Sequence, residues 1–280
     1  MNKVLSLGIV NNAHTLDPED TFFLFVNEAI ARPRLRVYTF DVADVDLKRG
    51  MARVKRITRP VSYKTRRALF HKNEWMKLAD FSGLFFKKDP PLDAPFIRFL
   101  QYCAKKRIPT VNQSRGILTM GTKAYLKHFQ TVIPKTIFVR RVPAALKAIR
   151  SLKNCIVKPS DGYGGQGVMH VSYYDGGSFY WHQGGRVRPV TAAHVSRQLQ
   201  KILTRSRDRT LLVVRYFPSA PVRGDKRVVV LNGKILGSYI RLPDPEAGVC
   251  VACNRGAKCY DPTPRDRAIV RAIAPHLKKH

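Results

Sequence analysis

Acidic side chains are scarce in this sequence. It has 19 Asp and Glu against 51 Lys and Arg, a formal net charge of +32 over 280 residues. Residues 94–160 contain 14 Lys and Arg and no acid, and residues 47–73 also lack acids. A field of this size attracts polyanions such as nucleotides, nucleic acid or acidic proteins. A general basic bias that serves solubility explains the same excess, so both interpretations stay open.

Long apolar runs and a cysteine framework are also missing. No run is long enough to span a bilayer, and residues 1–10 have too short an apolar stretch and no cleavage pattern for a secretion signal. The five cysteines form no disulfide pattern. Together these features predict a globular protein of the reducing cytoplasm without a membrane segment.

The most informative stretch that is present runs from Cys155 to Val168, where a short apolar strand delivers Lys158 to a loop with four glycines. Glycine lets the backbone approach a bulky anion, successive N–H groups can cradle phosphate oxygens, and the lysine adds charge beside them. The spacing G-x-x-x-x-G-K-[ST] of the common phosphate loop is absent. The stretch therefore predicts a flexible hairpin over a nucleotide, and a glycine-rich surface turn between strands is the alternative.

The first part of the chain alternates strands with helices. Strands are predicted at 3–10, 35–40, 84–86 and 108–111, helices at 17–31 and, capped by Asp93, at 93–106. This alternation predicts a parallel, doubly wound sheet. Residues 45–75 are basic and weakly periodic, and are predicted to be exposed connections.

The second part is organised differently. Helices are predicted at 143–153 and 191–203, with short aromatic-rich strands between them and a further strand at 211–217. Asn232-Gly233 predicts a two-residue hairpin turn. Thr263-Pro264-Arg265-Asp266 is a capping box that opens a last helix.

Seven ordered segments resemble the bacterial glutathione synthetases of the ATP-grasp superfamily, and the resemblance covers nearly the whole chain. They are Leu7–Val10 for the first strand, Phe85 to Asp93 for K-D-P-P-F-D, Thr110-Val111-Asn112 for V-N, Lys123 for the first ATP-binding lysine, Lys158 to Gly165 for K-P-L-D-G-x-G-G, Gly224-Asp225-Lys226-Arg227 for G-D-K-R, and Arg241-Leu242-Pro243 for A-R-I-P.

The resemblance implies an α/β protein whose ATP-grasp part is α+β. A doubly wound, parallel-sheet substrate domain at 1–122 would precede an ATP-grasp fold. That fold would consist of a small lid subdomain with the glycine loop at 123–210 and the start of a C-terminal subdomain at 211–280.

The implied activity is that of an ATP-dependent carboxylate–amine ligase, which joins γ-glutamylcysteine to glycine through an acyl phosphate and releases ADP and phosphate. Lys123 and Lys158 would hold the α- and β-phosphates, and Arg227 and Arg241 would stabilise the γ-phosphate and the acyl phosphate. The mobile lid over the ATP would be formed by Gly162, Tyr163, Gly164, Gly165, Gln166 and Gly167. The implied substrate residues are Asp89, Asn254 and Arg255, and the implied cofactors are ATP and Mg²⁺, or Mn²⁺ in its place.

The sequence departs from the family in two places. Residues 244–257 stand where the family has R-G-N-L-A-A-G-G, but they are shorter and lack the leading Arg-Gly-Asn, which leaves the acceptor amino acid open. The family's G-L-D and E-I-N segments, which hold magnesium, would lie beyond His280, so no metal ligand is assigned in this chain. The sequence is thus expected to be either a C-terminally truncated ligase or a nucleotide-binding relic.

Cys250, Cys253 and Cys259 form C-x-x-C followed by a third cysteine. Three thiols at this spacing can bind zinc, but the nearest further ligands are His276 and His280. Buried or surface thiols are the expected interpretation, with a zinc site as the alternative.

Other functions remain open at this stage. A ligase of the same superfamily acting on another acidic peptide or a protein tail would suit the positive charge. A non-catalytic nucleotide or nucleic-acid binder would explain the missing metal ligands. The resemblance implies small-molecule substrates and a homo-oligomer. The positive charge implies that nucleic acid is bound only non-specifically.

Overall fold

The computed structural model describes residues 4–72, 74–88, 92–183, 185–218, 223–243 and 254–279. Contacts between Cα atoms divide the chain into two units, Met1–Thr119 and Met120–His280. Each unit has its own buried core, so each is described by itself.

A mixed sheet organises the first unit. Its described strands are β1 (Leu5–Val10), β2 (Leu35–Phe40), β3 (Val45–Asp46), β4 (Met51–Ile57), β5 (Glu74–Lys77), β6 (Gly83–Phe86) and β7 (Thr110–Val111). The order is β3-β4-β2-β1-β6-β7, with β5 paired to β4. Strands β2, β1, β6 and β7 are parallel, and β4 is antiparallel to each of its partners.

Two helices cover opposite faces of this sheet. Helix α1 (Thr21–Ile30) packs Phe22 and Val26 against Ile9 of β1. Helix α2 (Ala94–Lys106) packs Phe99 against the neighbouring residue Val10, whose side chain points to the other face. This arrangement confirms the prediction of a doubly wound α/β domain. Shorter helical segments are Ala13–Thr15, Val42–Asp44, Arg66–Phe70, Leu78–Asp80 and α3 (Ser114–Met120).

The prediction that residues 45–75 are exposed connections was wrong in part. Strand β4 lies in this range and buries Ala52, Val54 and Ile57. The residues between them are mostly basic, and Lys and Arg can lie along a sheet with their charged ends in water. The many cations hid the alternation of apolar and polar residues that marks a strand.

The second unit begins with a six-stranded antiparallel sheet. Its described strands are β8 (Thr136–Val139), β9 (Asn154–Pro159), β10 (Met169–Tyr174), β11 (Ser178–Gln183), β12 (Arg186–Val190) and β13 (Leu211–Arg215), in the order β12-β11-β10-β9-β13-β8. Helices α4 (Val142–Leu152) and α5 (Ala192–Arg205) pack on one face of it.

A second sheet follows within the same unit. Strands β14 (Asp225–Leu231), β15 (Lys234–Pro243) and β16 (Asn254–Cys259) are antiparallel, and helix α6 (Pro264–Lys279) ends the described chain. Asn232 and Gly233 join β14 to β15 with φ angles of 50° and 78°, which confirms the predicted hairpin turn. The capping box of α6 is also present, since Thr263 N donates to Asp266 Oδ2 at 2.9 Å and Asp266 N donates to Thr263 Oγ1 at 3.2 Å.

The finer division into parts at 1–122, 123–210 and 211–280 stays a prediction. Within the described ranges no helix is long and apolar enough to cross a membrane.

The stability of the first unit is expected to depend on the packing around Phe99. Phe99 is fully buried, and its ring lies 5.7 Å from that of Phe86 and 6.3 Å from that of Phe40. We expect Phe99→Ala to lower the unfolding free energy by about 3–5 kcal/mol, because it leaves a cavity. Leu24→Ala, at a side chain that is 67% exposed, should cost less than about 0.5 kcal/mol. Urea denaturation followed by circular dichroism measures both, and equal losses would contradict the packing described here.

Candidate functional site

Lys158 lies on β9, where the strand approaches the glycine loop. Its neighbours Val157 and Pro159 are buried, and Val157 points into the core beneath α4 and α5. Because side chains alternate along a strand, Lys158 points to the sheet face opposite these helices. It is half-buried, and this burial lowers the pKa of its ammonium group below that of an ordinary lysine.

Lys123 is held next to this strand. It begins the 3₁₀ segment Lys123–Phe129, and its backbone N–H donates to the carbonyl of Ser160 at 2.7 Å. Its ammonium group donates to the carbonyl of Gly162. The pKa of Lys123 is lowered by burial and then by the Lys158 ammonium, with Asp161 acting in the opposite direction. Two ammonium groups 35 residues apart in sequence therefore lie close enough to repel each other.

The last helix supports the Lys123 segment. The ring of His276 on α6 lies 4.8 Å from that of Phe129, and the Tyr125 hydroxyl is 3.3 Å from His276 Nδ1. This packing fixes the segment on the body of the unit, and with it the position of the Lys123 backbone.

The glycine loop follows Lys158. Gly164, Gly165 and Gly167 have φ angles of 56°, 76° and 70°, which L-residues rarely adopt. The loop makes its own turns, in which Gln166 N–H donates to Tyr163 O at 3.0 Å and Val168 N–H donates to Gly165 O at 3.2 Å. Gly162 is required for a different reason, because its backbone lies close to the Pro159 ring. A Cβ at Gly162 would lie 2.6 Å from Pro159 Cγ.

A buried polar network anchors the root of this loop, and sequence reasoning did not find it. The hydroxyl of Ser160, which is fully buried, donates to Asp208 Oδ1 at 2.5 Å. The same oxygen accepts from the Ser206 hydroxyl at 3.1 Å and from Thr210 N–H at 2.9 Å. Asp161 accepts from Arg207 N–H at 2.7 Å. One feature of the sequence could have indicated this network. Ser160 stands where the resembled motif has Leu, and a buried serine hydroxyl needs a hydrogen-bond acceptor.

The two predicted arginines meet at one carboxylate. Asp225 on β14 lies opposite Arg241 on β15. Its Oδ2 accepts from Arg227 Nε at 2.8 Å, from Arg241 Nε at 3.0 Å and from Arg241 Nη2. One negative and two positive charges leave a net positive site. The side chains of Arg227 and Arg241 are 49% and 22% exposed, so an anion can reach them.

The close approach of two strands explains why the G-D-K-R segment begins with Gly224. Its φ is 82°, and a Cβ there would overlap the backbone carbonyl of Arg241. Only glycine lets β14 begin this close to β15, which sets the register that places Asp225 opposite Arg241.

The remaining predicted residues are described only in part. Asp89 lies outside the described residues, although Lys87 and Lys88 before it pair with Asp20 at 3.1 Å and with Asp93 at 3.0 Å. Asn254 and Arg255 belong to β16, but their side chains are outside the described part. Lys158 and the two arginines lie in the same unit on different sheets. No hydrogen bond or ion pair of the described residues joins the lysine pair to the arginine pair.

Among the described residues no group of three or more His, Cys, Asp or Glu side chains could hold a metal ion. Cys250 and Cys253 are outside the described residues, and Cys259 is exposed. Burial raises the pKa of Cys103 and of Cys155 to about 12, so both thiols stay protonated at neutral pH.

The arrangement can bind a polyphosphate. Two half-buried ammonium groups lie next to a loop whose glycines leave backbone N–H groups accessible. Burial and mutual repulsion lower the pKa of Lys123, and burial lowers that of Lys158. A bound anion would offset both effects, because an opposite charge favours the charged form of each lysine. The residues present therefore fit ATP.

Comparison with known families gives two matches within the chain. A model of the N-terminal domain of prokaryotic glutathione synthetase matches residues 6–117. A model of the ATP-grasp domain of the same enzyme matches residues 184–280.

Individual relatives extend the match. The chain is 27% identical to the glutathione synthetase of Synechococcus elongatus over 206 residues, 72% of this chain and 58% of that protein. It is 28% identical to that of Salmonella typhimurium over 288 residues, 98% of this chain and 84% of that protein. The match spans 60% of the Thermosynechococcus vestitus relative, so for two of these relatives the matched part is less than two thirds of their length.

Solved structures show the same fold. D-cycloserine synthetase DcsG aligns with a TM-score of 0.63 and 17% identity, covering 98% of this chain and 82% of that one. D-alanyl-alanine synthetase A of Vibrio cholerae aligns with a TM-score of 0.57 and 11% identity, covering 99% and 82%. At these identities the likeness establishes the fold alone.

The loop-root network predicts a large stability effect at one aspartate. We expect Asp208→Ala to lower the unfolding free energy by about 2–4 kcal/mol, because the buried hydroxyls of Ser160 and Ser206 lose their acceptor. Asp175→Ala is the matched control, since Asp175 is 90% exposed and, among the described residues, forms an ion pair with Lys153 alone. It should cost less than about 0.5 kcal/mol. Urea denaturation of both variants checks this, and equal effects would contradict a buried role for Asp208.

Proposed function

The chain belongs to the prokaryotic glutathione synthetase family, and we propose that it is an ATP-dependent carboxylate–amine ligase. The proposed reaction joins γ-glutamylcysteine to glycine and releases ADP and phosphate. The observation that carries the proposal is the half-buried pair of Lys123 and Lys158 at the root of the glycine loop. Its position agrees with the ATP-binding lysines of the resembled family.

The nucleotide would be held by the lysine pair and the loop. Lys158 and Lys123 supply two positive charges for the phosphate oxygens, and the loop from Gly162 to Gly167 supplies backbone N–H groups. The Lys123 ammonium donates to the Gly162 carbonyl in the structure. Binding of a phosphate would give this ammonium an additional acceptor and tie the loop to the nucleotide.

The arginine pair would stabilise the charge that develops during phosphoryl transfer. Asp225 holds Arg241 through Nε and Nη2 and Arg227 through Nε, so both guanidinium groups are oriented before a substrate arrives. Fixed donors of this kind need no reorganisation during the reaction, which is the main source of electrostatic catalysis. In the proposed reaction ATP activates the substrate carboxylate as an acyl phosphate, and the amine then displaces phosphate.

Magnesium is part of the proposal only as a family expectation. The carboxylates at the described site already have partners, Asp225 with two arginines and Asp208 with hydroxyls and an amide. The described residues therefore do not form a magnesium site, and no step is assigned to the metal.

Substrate dependence of ADP release tests the proposal. We expect ADP only when ATP, γ-glutamylcysteine and glycine are all present. Lys158→Met should lower kcat/KM for ATP by about 100-fold or more, because the site loses a charge that contacts the phosphates. Lys135→Met removes an exposed lysine of the same unit and should change the rate less than twofold.

Three results would contradict the proposal in different ways. ATP binding without ADP release would favour a nucleotide-binding protein without turnover. ADP release with another acidic peptide, and none with γ-glutamylcysteine, would keep the ligase and change its substrate. Equal losses in Lys158→Met and Lys135→Met would remove Lys158 from the site.

The lysine pair also predicts how ATP affinity depends on pH. The charged form of Lys123 binds phosphate, and its pKa is lowered in the free protein. Affinity should therefore be highest below this lowered pKa and fall as the pH rises through it, at a lower pH than for an ordinary lysine. Lys123→Arg stays charged throughout this range, so its affinity should change less with pH even if it is weaker overall. Calorimetric titration with ATP measures both profiles, and parallel profiles would contradict the assignment.

A further inference from the structure

The second unit carries an excess of cations that the nucleotide site does not explain. Residues 120–210 contain 16 Lys and Arg and only three acids. Each of the three is engaged locally, Asp161 by Arg207 N–H, Asp208 by hydroxyl groups and Asp175 by Lys153. The acids of this segment therefore leave most of its positive charge unneutralised.

Part of this charge is gathered on the outer side of two helices. Helices α4 and α5 pack side by side on one face of the six-stranded sheet, with the buried residues Ala145, Ile149, Val195 and Leu199 turned towards it. Their exposed positions include Lys147, Arg150, Arg197, Lys201 and Arg205. The guanidinium group of Arg150 also lies over the rings of Tyr173 and Phe179 on the sheet. We call these five residues the basic helix layer.

The basic helix layer has the chemistry of a phosphate-binding surface. Among the described residues none of its five side chains forms an ion pair. Three of them are arginines, which bind phosphate oxygens through two N–H groups. Neither helix exposes a large hydrophobic side chain, whereas the centre of a protein–protein interface is usually apolar or aromatic and poor in lysine. This favours nucleic acid over an acidic protein.

The spacing along α5 fits a phosphate backbone. Arg197, Lys201 and Arg205 follow each other at intervals of four residues on one helix face. They span about 12 Å along the axis at about 1.5 Å per residue. One strand of DNA places a phosphate about every 3.4 Å along its axis, so three side chains at this spacing can each reach a different phosphate.

We propose that the basic helix layer binds the phosphate backbone of nucleic acid without sequence specificity. The surface lies on the sheet face opposite Lys158, so it is distinct from the proposed nucleotide site of this unit. The inference therefore does not depend on the ligase activity, and it stands or falls on a binding measurement alone.

Salt dependence of DNA binding tests this inference. The probe is a fluorescein-labelled 20-base-pair duplex, and anisotropy gives Kd for the full chain between 50 and 200 mM KCl. The test variant is Arg197→Gln, Lys201→Gln, Arg205→Gln. Loss of three phosphate contacts should lower the slope of log affinity against log salt by about 2.7, at about 0.9 per contact. Between 50 and 200 mM KCl, the factor by which Kd rises should then be about 40-fold smaller for the variant than for the parent.

A control of equal charge separates location from net charge. The variant Arg34→Gln, Lys105→Gln, Lys106→Gln removes three exposed cations from the first unit, and it should keep the parent slope. Thermal unfolding by circular dichroism checks that both variants are folded. Equal slopes in the two variants, or no binding by the parent at 50 mM KCl, would overturn the proposal. Displacement of the duplex by poly-L-glutamate at the same charge concentration would overturn the choice of nucleic acid.

Discussion

The proximity of two half-buried ammonium groups is the constraint on which the candidate site depends. Burial lowers the pKa of both lysines, and Lys158 lowers that of Lys123 further. Both groups bind protons less tightly in the folded chain than in the unfolded one. Their charged forms therefore oppose folding at neutral pH, and this effect is lost above the ordinary lysine pKa. A bound anion compensates this cost. Lysines with shifted pKa values therefore often occur at functional sites.

The loop-root network holds the backbone segments that carry the two lysines. Ser160 forms two main-chain hydrogen bonds, one to Lys123 and one to Thr210, and its side chain binds Asp208. A single residue between Lys158 and the glycines thus connects three segments of the unit. In the resembled motif this position is a leucine, which could only pack. The Ser160 hydroxyl in this chain instead joins a polar network, and breaking that network is costly because the Ser160 and Ser206 hydroxyls are buried.

Short sequence motifs were sufficient to predict the structural features that depend only on neighbouring residues. The Asn232-Gly233 turn, the Asp93 cap and the Thr263 capping box were predictable, because each depends on residues within a few positions. Contacts between distant segments were not. Ser160 and Asp208 are 48 residues apart, and no pattern within either segment indicates the other. Strand β4 was missed for a different reason, since its exposed positions carry cations whose charge conceals the alternation.

Three cations of the proposed ligase site are partly buried in a chain that has 51 Lys and Arg. Lys123 and Lys158 are half-buried, and Arg241 is 22% exposed and held by a carboxylate. The cations of α4 and α5 are exposed and solvated, so each of them costs the fold little. An exposed cation contributes to long-range attraction, whereas a buried one contributes to a site. In the two proposals the same residue types therefore serve two purposes in one unit, a nucleotide site around Lys158 and a phosphate-binding surface on α4 and α5.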